Sequence, residues 1–370
     1  PSFSENVMKK NNIVISGYYG FSNAGDEAML FAVLRALHYD PKRMRITVIS
    51  GDPRRTENTF RVHAVSRFDG YSILKSVYQS DLLISGGGSL LQDVTSWKSM
   101  MYYLSIIGMG IFFRKKVFLY SQGIGPVRYH WGRWILCTVM NHVDAITVRD
   151  SESKFFLEQL GVKNRIYYTA DAVLSLSPVP HDIGREILRK NHIPTNKKLI
   201  GISIRRWMNT EVWTEQLKNY IIKINGKEEY NFVFIPMQFP EDYKTAKEFC
   251  DKIPHTFILS HSYGTEELMS LIGNLDLLIG IRLHALIFAA LMHVPFIGIS
   301  YDPKIDSFLQ AVNEKAIFGL DDFDKDKLCV KSSRLLALPK AAYNWEAVDI
   351  LRNKACETIK ILEEVAQPRG

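Results

Sequence analysis

Three segments in the second half of this 370-residue chain place cations directly after an apolar run. Arg205 and Arg206 follow Leu199 to Ile204. Gly280-Ile281-Arg282-Leu283-His284 follows Leu275 to Ile279, and Tyr301-Asp302-Pro303-Lys304 follows Phe296 to Ile299. The planar fork of arginine matches carboxylate and phosphate, and lysine adds a mobile point charge, so the segments together describe a receptor for a small, multiply charged anion. His284 would add a side chain of the type that serves as general acid or base. Each residue also has a plainer reading. An arginine can pair with a neighbouring carboxylate, and a histidine opening the apolar stretch Ala285 to Leu291 can be a satisfied structural residue. Agreement among three separate segments favours the receptor.

The first half contributes glycines and carboxylates. The stretches from Gly17 to Glu27, which includes Asn23, Gly25 and Asp26, and from Gly86 to Asp93, which includes Gly87, Gly88 and Ser89, also follow apolar runs. Glycine lets the backbone approach a ligand, and free N–H groups at a helix start suit an anionic or polyhydroxy one. Neither stretch is a GxGxxG dinucleotide fingerprint or a P-loop. Asp26 reads equally as a helix cap or a ligand contact, and the triple glycine as a tight turn or a place where substrate meets backbone. Gln122-Gly123-Ile124-Gly125-Pro126 and Arg149-Asp150-Ser151 add two further polar strand ends.

The elements that must position these residues alternate between strand and helix. Short β-branched runs at residues 13–16, 45–50, 82–85, 116–121 and 145–148 are each followed by helical spacing, the pattern of parallel βαβ units. After Ser177-Pro178-Val179-Pro180 the pattern resumes with a helix at 182–191 and strands at 199–204, 232–236, 257–259, 275–279 and 296–299. The expected class is α/β, with two Rossmann-like doubly wound domains of similar size at 11–177 and 181–344 and a closing helix at 345–366. In such sheets ligands bind beyond the carboxyl ends of the strands, so the active cleft is expected between the domains.

Composition agrees with a packed, two-domain chain. The length exceeds the roughly 250 to 300 residues of one hydrophobic core, and 46% hydrophobic with 23% charged residues is ordinary globular usage. A net charge of +7 favours anionic partners. The four cysteines form no CxxC pair, so neither zinc nor disulfides are indicated, no metal site is expected, and a reducing cytoplasm is the natural home. The first ten residues lack the features of a secretion signal. Met100 to Phe113 is too short for a span of about 20 residues and reads as a crossover helix, with a membrane-touching segment as the rival reading. HExxH, GxSxG and Asp-rich metal loops are missing, and no basic stripe interleaved with aromatics suggests nucleic acid.

The series GYYGFSNAGDEA, GGGSLLQD, QGIGP, VRDSES, DAVLSLSP, GIRLHALIFAA and YDPK, in this order, resembles the polysaccharide pyruvyl transferase family over residues 13 to about 306. It looks most similar to bacterial cell-wall members that pyruvylate N-acetylmannosamine on a lipid-linked wall-polymer precursor, whose product anchors surface-layer proteins. The resemblance implies a glycosyltransferase-B-like pair of domains and phosphoenolpyruvate as donor substrate, with no cofactor. It implies that Arg205, Arg282, Leu283 and His284 hold the donor, with Lys304 carried over from YDPK. Asn23, Asp26, Gly87, Gly88 and Ser89 are then the candidates for the acceptor sugar. A lipid-linked glycan acceptor would further imply a peripheral contact with the anionic inner face of the plasma membrane.

Ketal formation needs protonation of the donor's methylene carbon, attack of two hydroxyls on C2 and loss of phosphate. The expected roles are His284 as proton donor or aid to phosphate departure, Arg205, Arg282 and Lys304 as neutralising cations, and Asp26 or Asp171 as base. Two rivals stand beside this reading. One is a nucleotide-sugar glycosyltransferase of the same shape, with Glu266 or Glu267 on the ribose. The other is a carbohydrate- or anion-binding protein that closes on its ligand without reacting.

Overall fold

The computed structural model describes residues 12–42, 44–94, 96–206, 210–226, 229–319 and 322–366, so the ten-residue start lies outside the described residues. The chain forms two compact units. One comprises 12–21, 26–176 and 351–366; the other comprises 22–25 and 177–350.

In the first unit the elements are β1 (Asn12–Tyr19), α1 (Ala24–Ala36), β2 (Arg45–Ser50), α2 (Pro53–Phe60), β3 (His63–Ser66), α3 (Gly70–Gln79), β4 (Leu82–Ser85) and β5 (Gly88–Leu91). They continue with α4 (Trp97–Phe112), β6 (Lys116–Ile124), α5 (His130–Met140), β7 (Ala145–Val148), α6 (Ser151–Gln159) and β8 (Ile166–Tyr168). The sheet runs β3-β2-β1-β4-β6-β7-β8, with β5 paired to β6, and every pairing is parallel. Both faces of such a sheet are covered, which is why Leu82 to Ser85 and Ala145 to Val148 are buried along their whole length. One core gathers Val14, Leu83, Leu119 and Ile146 from the strands with Ile73 of α3, Leu104 of α4, Leu136 of α5 and Leu157 of α6. Those four helices therefore lie on one face.

The second unit holds α7 (Asp182–Lys190), β9 (Lys198–Ser203), α8 (Thr210–Ile224), β10 (Tyr230–Phe234), α9 (Glu241–Cys250), β11 (Thr256–Ile258) and α10 (Thr265–Gly273). β12 (Leu277–Gly280), α11 (Leu283–Leu291), β13 (Phe296–Gly298), α12 (Pro303–Ala311) and α13 (Lys325–Ala337) complete it. Its parallel sheet runs β11-β10-β9-β12-β13. In both sheets the strand order reverses beside the first strand, between β1 and β4 and between β9 and β12, and this is where a doubly wound sheet opens a crevice for ligand. The expected α/β class with two doubly wound sheets is what forms.

The last helix, α14 (Glu346–Ala366), returns residues 351–366 to the first unit. There Lys116 Nζ donates to the Val365 carbonyl at 2.7 Å, and the Lys354 ammonium sits 4.5 Å from the Tyr168 ring centroid.

Three elements differ from the sequence expectation. β3 and β8 are short edge strands whose few residues offer too little alternation to read. Gly88 to Leu91 forms a strand where a loop was expected, because Gly88 and Leu91 pair with Gln122 and Ile124 on a β6 that runs three residues further than its apolar run. Glycine is a poor strand former, so ladder partners rather than propensity make these residues extended.

Candidate functional site

In the second unit, β9, β12 and β13 are neighbours, so the three cation-bearing segments emerge side by side at the carboxyl edge of one sheet. Arg205, just beyond β9, donates from Nη1 to the Tyr301 hydroxyl beyond β13 at 2.8 Å, and its guanidinium lies 5.0 Å from the Tyr301 ring centroid. Stacking plus a hydrogen bond fixes a long side chain that would otherwise roam. Arg282 is the N-cap residue of α11, with Leu283 and His284 opening the helix. Its Nε donates to Asp242 Oδ2 at 2.9 Å, and Nη2 reaches both Asp242 Oδ1 and, at 3.2 Å, Gln238 Oε1. Lys304 stands in the first turn of α12 with its ammonium 3.1 Å from Asp302. Arg206 is exposed.

Asp242 is the hub of this arrangement, and the sequence reading gave it no role. It is buried, and Oδ2 also accepts the Met237 and Gln238 amides at 3.2 and 3.1 Å. Burial pushes its carboxyl above the usual range, with Arg282 and the two amides opposing that push. The same β10–α9 loop receives the segment Ser22–Gly25. Asn23 bridges Gln238, Ala24 N–H donates to the Met237 carbonyl at 2.7 Å, and Phe239 N–H donates to the Ser22 carbonyl at 3.2 Å. Asn23 Oδ1 turns back to accept the Gly25 amide at 3.0 Å. His284 packs its imidazole on Gly25, where a Cβ would overlap the ring. The structure thus groups Asn23 and Gly25 with Arg282 and His284.

In the first unit, Asp26 and Glu27 occupy the first turn of α1, where the helix dipole favours negative charge. Glu27 Oε1 accepts the Gly20 amide at 2.8 Å, and burial lifts its carboxyl to about 6 against that hydrogen bond. Gly88 has φ of +111, a conformation open chiefly to glycine, and a Cβ there would lie 3.7 Å from Asp26 Oδ1. Side chains at Gly86 and Gly87 would run into the Tyr19 hydroxyl and the Met29 sulfur, so the triple glycine is a packing requirement of the strand end as well as an open backbone.

Arg149 joins two of the predicted residues. From the end of β7 its Nη2 donates to Ser89 Oγ at 2.9 Å and its Nη1 to Asp171 Oδ2 at 3.1 Å. Its side chain and that of Asp171 are both only 6% exposed, so Asp171 is its main counter-charge, with Asp150 Oδ2 further off at 3.6 Å. Asp171 also caps the short helix Ala172–Ser175 by accepting the Val173 amide. Asp26 lies with Gly88, and Ser89 with Arg149 and Asp171. Glu267 is used as a helix cap, its Oε2 accepting the Gly264 amide at 2.6 Å. Among the described residues no group of three or more His, Cys, Asp or Glu could hold a metal ion, and no helix is long and apolar enough to cross a membrane.

Solved structures with the same fold include UDP-GlcNAc 2-epimerases. That of Methanocaldococcus jannaschii superposes with a TM-score of 0.68 at 13% identity, covering 95% of this chain and 99% of the other. That of Neisseria meningitidis bound to UDP-GlcNAc gives 0.63 at 11%, covering 95% and 99%. That of Rickettsia bellii gives 0.62 at 12%, covering 96% of each. At these identities the likeness concerns the fold alone, two Rossmann-like domains of glycosyltransferase-B-like type. No curated protein matches the chain significantly. A family model described as polysaccharide pyruvyl transferase matches residues 23–303.

Proposed function

The chain belongs to the polysaccharide pyruvyl transferase family, and from that premise we propose that it moves the three-carbon unit of phosphoenolpyruvate onto two hydroxyls of one sugar as a ketal. One hydroxyl proton is balanced by the proton gained at the methylene carbon, which becomes a methyl group. The second leaves on phosphate as the C2–O bond to phosphate breaks, so two new C2–O bonds to the sugar replace that bond and the C=C π bond. N-acetylmannosamine on a lipid-linked wall-polymer precursor is the acceptor this reading favours, and phosphoenolpyruvate the donor.

The observation that carries the reading is the row of cationic groups along β9, β12 and β13. A carboxylate and a phosphate a few ångströms apart require more than one cation, and Arg205, Arg282 and Lys304 stand at neighbouring strand ends. Preorganised charges stabilise a developing phosphate without reorganising during the step. Tyr301 and Asp242 supply that preorganisation by fixing the two arginines. His284, in the first turn of α11, is assigned the proton delivered to the methylene carbon or to the departing phosphate. Of the two carboxylates considered as base, Asp26 is preferred, because it stands beside Gly88, one of the residues expected at the acceptor sugar.

The test is phosphate release from phosphoenolpyruvate with and without a synthetic lipid-linked N-acetylmannosamine disaccharide, with mass spectrometry of the sugar product. A sugar that gains the pyruvyl ketal supports the proposal. Absence of both phosphate release and mass gain, together with saturable binding of a UDP-sugar, would replace it with the nucleotide-sugar transferase.

A further inference from the structure

The helices α3, α4 and α5, side by side on one face of the first sheet, contain no aspartate or glutamate. Acids flanking these helices have structural tasks: Asp69 caps α3, Asp81 accepts the Asn12 amide at 2.8 Å, and the buried Asp93 accepts the amides of Arg128 and Tyr129 at 2.7 and 3.2 Å. The same face collects exposed aromatic rings. Among the described residues, every large aromatic side chain left strongly exposed lies between Phe68 and Trp134, apart from Phe155.

The rings are densest at the starts of α4 and α5. Trp97 and Trp131 meet edge to face at 5.7 Å, Tyr129 stacks on Trp131 at 5.6 Å, and Trp134 is 70% exposed one turn further on. They are held out by rigid backbone. Asp93 clamps residues 128 and 129, and Arg133 Nε donates to the Val127 carbonyl at 2.6 Å. Lys98, Arg128 and Arg133 stand exposed among them.

Tryptophan and tyrosine are amphipathic and settle at the headgroup level of a bilayer, while basic side chains are drawn to anionic lipid. A neutral glycan would gain nothing from the missing acids. Charge complementarity therefore selects one occupant, and we propose that the starts of α4 and α5 dock on an anionic lipid bilayer through Trp97, Trp131 and Trp134. These helix starts follow the carboxyl ends of β5 and β6, the same edge of the sheet that carries Gly88 and Asp26. Docking there would bring a lipid-linked sugar to that edge. This last step rests on the pyruvyl-transfer reading, whereas the docking itself does not.

The experiment is co-sedimentation of the full chain with vesicles of phosphatidylcholine alone or mixed with phosphatidylglycerol, at low and high salt. Measured alongside are thermal unfolding, sedimentation velocity without lipid, and turnover of a water-soluble acceptor. Wild type is expected to bind the phosphatidylglycerol vesicles in a salt-sensitive way. Trp131→Ser with Trp134→Ser should lower that partition about tenfold, and Lys98→Glu with Arg128→Glu at least as much, with unfolding and soluble-acceptor turnover unchanged. No binding by wild type, or equal binding by both double variants, would overturn the proposal. So would a wild-type dimer that the tryptophan variant dissociates, since the face would then be an interface between copies. Salt-sensitive vesicle binding without any pyruvyl transfer would leave the docking standing and remove the function.

Discussion

The imidazole of His284 lies so close to the backbone of Gly25 that a Cβ at position 25 would overlap the ring. Gly25 has an ordinary helical backbone rather than a left-handed one, so its lack of a side chain serves the histidine. A glycine chosen for space and a histidine placed by a helix start form one constraint.

Gly25→Ala should therefore act through His284. His284→Ala is expected to fold normally and to lose about 100-fold or more in kcat, the range for removing a positioned acid or base. Gly25→Ala should lose at least about tenfold, and the double variant should be no worse than His284→Ala alone, since residues acting on one group do not add. Additive losses in steady-state assays would show that Gly25 matters for another reason.

Asp242 and Arg282 make a second testable pair. Asp242→Ala leaves a guanidinium buried without its counter-charge and should destabilise the protein by about 3 to 5 kcal/mol in urea unfolding. Replacing both partners, Arg282→Met with Asp242→Asn, which keeps an acceptor for the Met237 and Gln238 amides, should recover most of that stability and none of the transfer activity. Activity in the double variant would remove Arg282 from the donor site.

The sheets were legible in the sequence where burial on both faces makes a strand continuously apolar, as at Leu82 to Ser85 and Ala145 to Val148. Edge strands β3 and β8 and the glycine-started β5 carry no such signal. The cations of the site were legible because each directly follows an apolar run. What fixes them was not, since Asp242 lies 40 residues from Arg282, and Asp171 lies 22 from Arg149. Periodicity reports a neighbour on the same element, whereas these partners are chosen by strand order.

The two carboxylates considered as base separate by experiment. Asp171→Asn removes the main counter-charge of a buried arginine, with Asp150 at 3.6 Å as partial substitute, and should cost about 2 to 3 kcal/mol of stability. Asp26→Asn touches no such pair with Arg149. It should lower kcat about 100-fold and abolish the acid limb of the pH–rate profile. The reverse pattern would transfer the base role to Asp171.

Glu27 gives a pH dependence whose sign is fixed by burial. Its carboxyl is raised from 4.5 to about 6 in the folded protein, so the native state holds the proton more tightly than the unfolded chain does. Stability from this group is therefore greatest below pH 4.5, falls as pH rises through 6, and stays lower above it. The loss amounts to at most about 2 kcal/mol. Glu27→Gln keeps an acceptor for the Gly20 amide and removes the charge. Urea midpoints should then show the variant more stable than wild type by up to that amount at pH 7.5, with the advantage vanishing toward pH 4.5. An advantage independent of pH would mean that Glu27 is not held in the partly desolvated position at the start of α1 that raises its proton affinity.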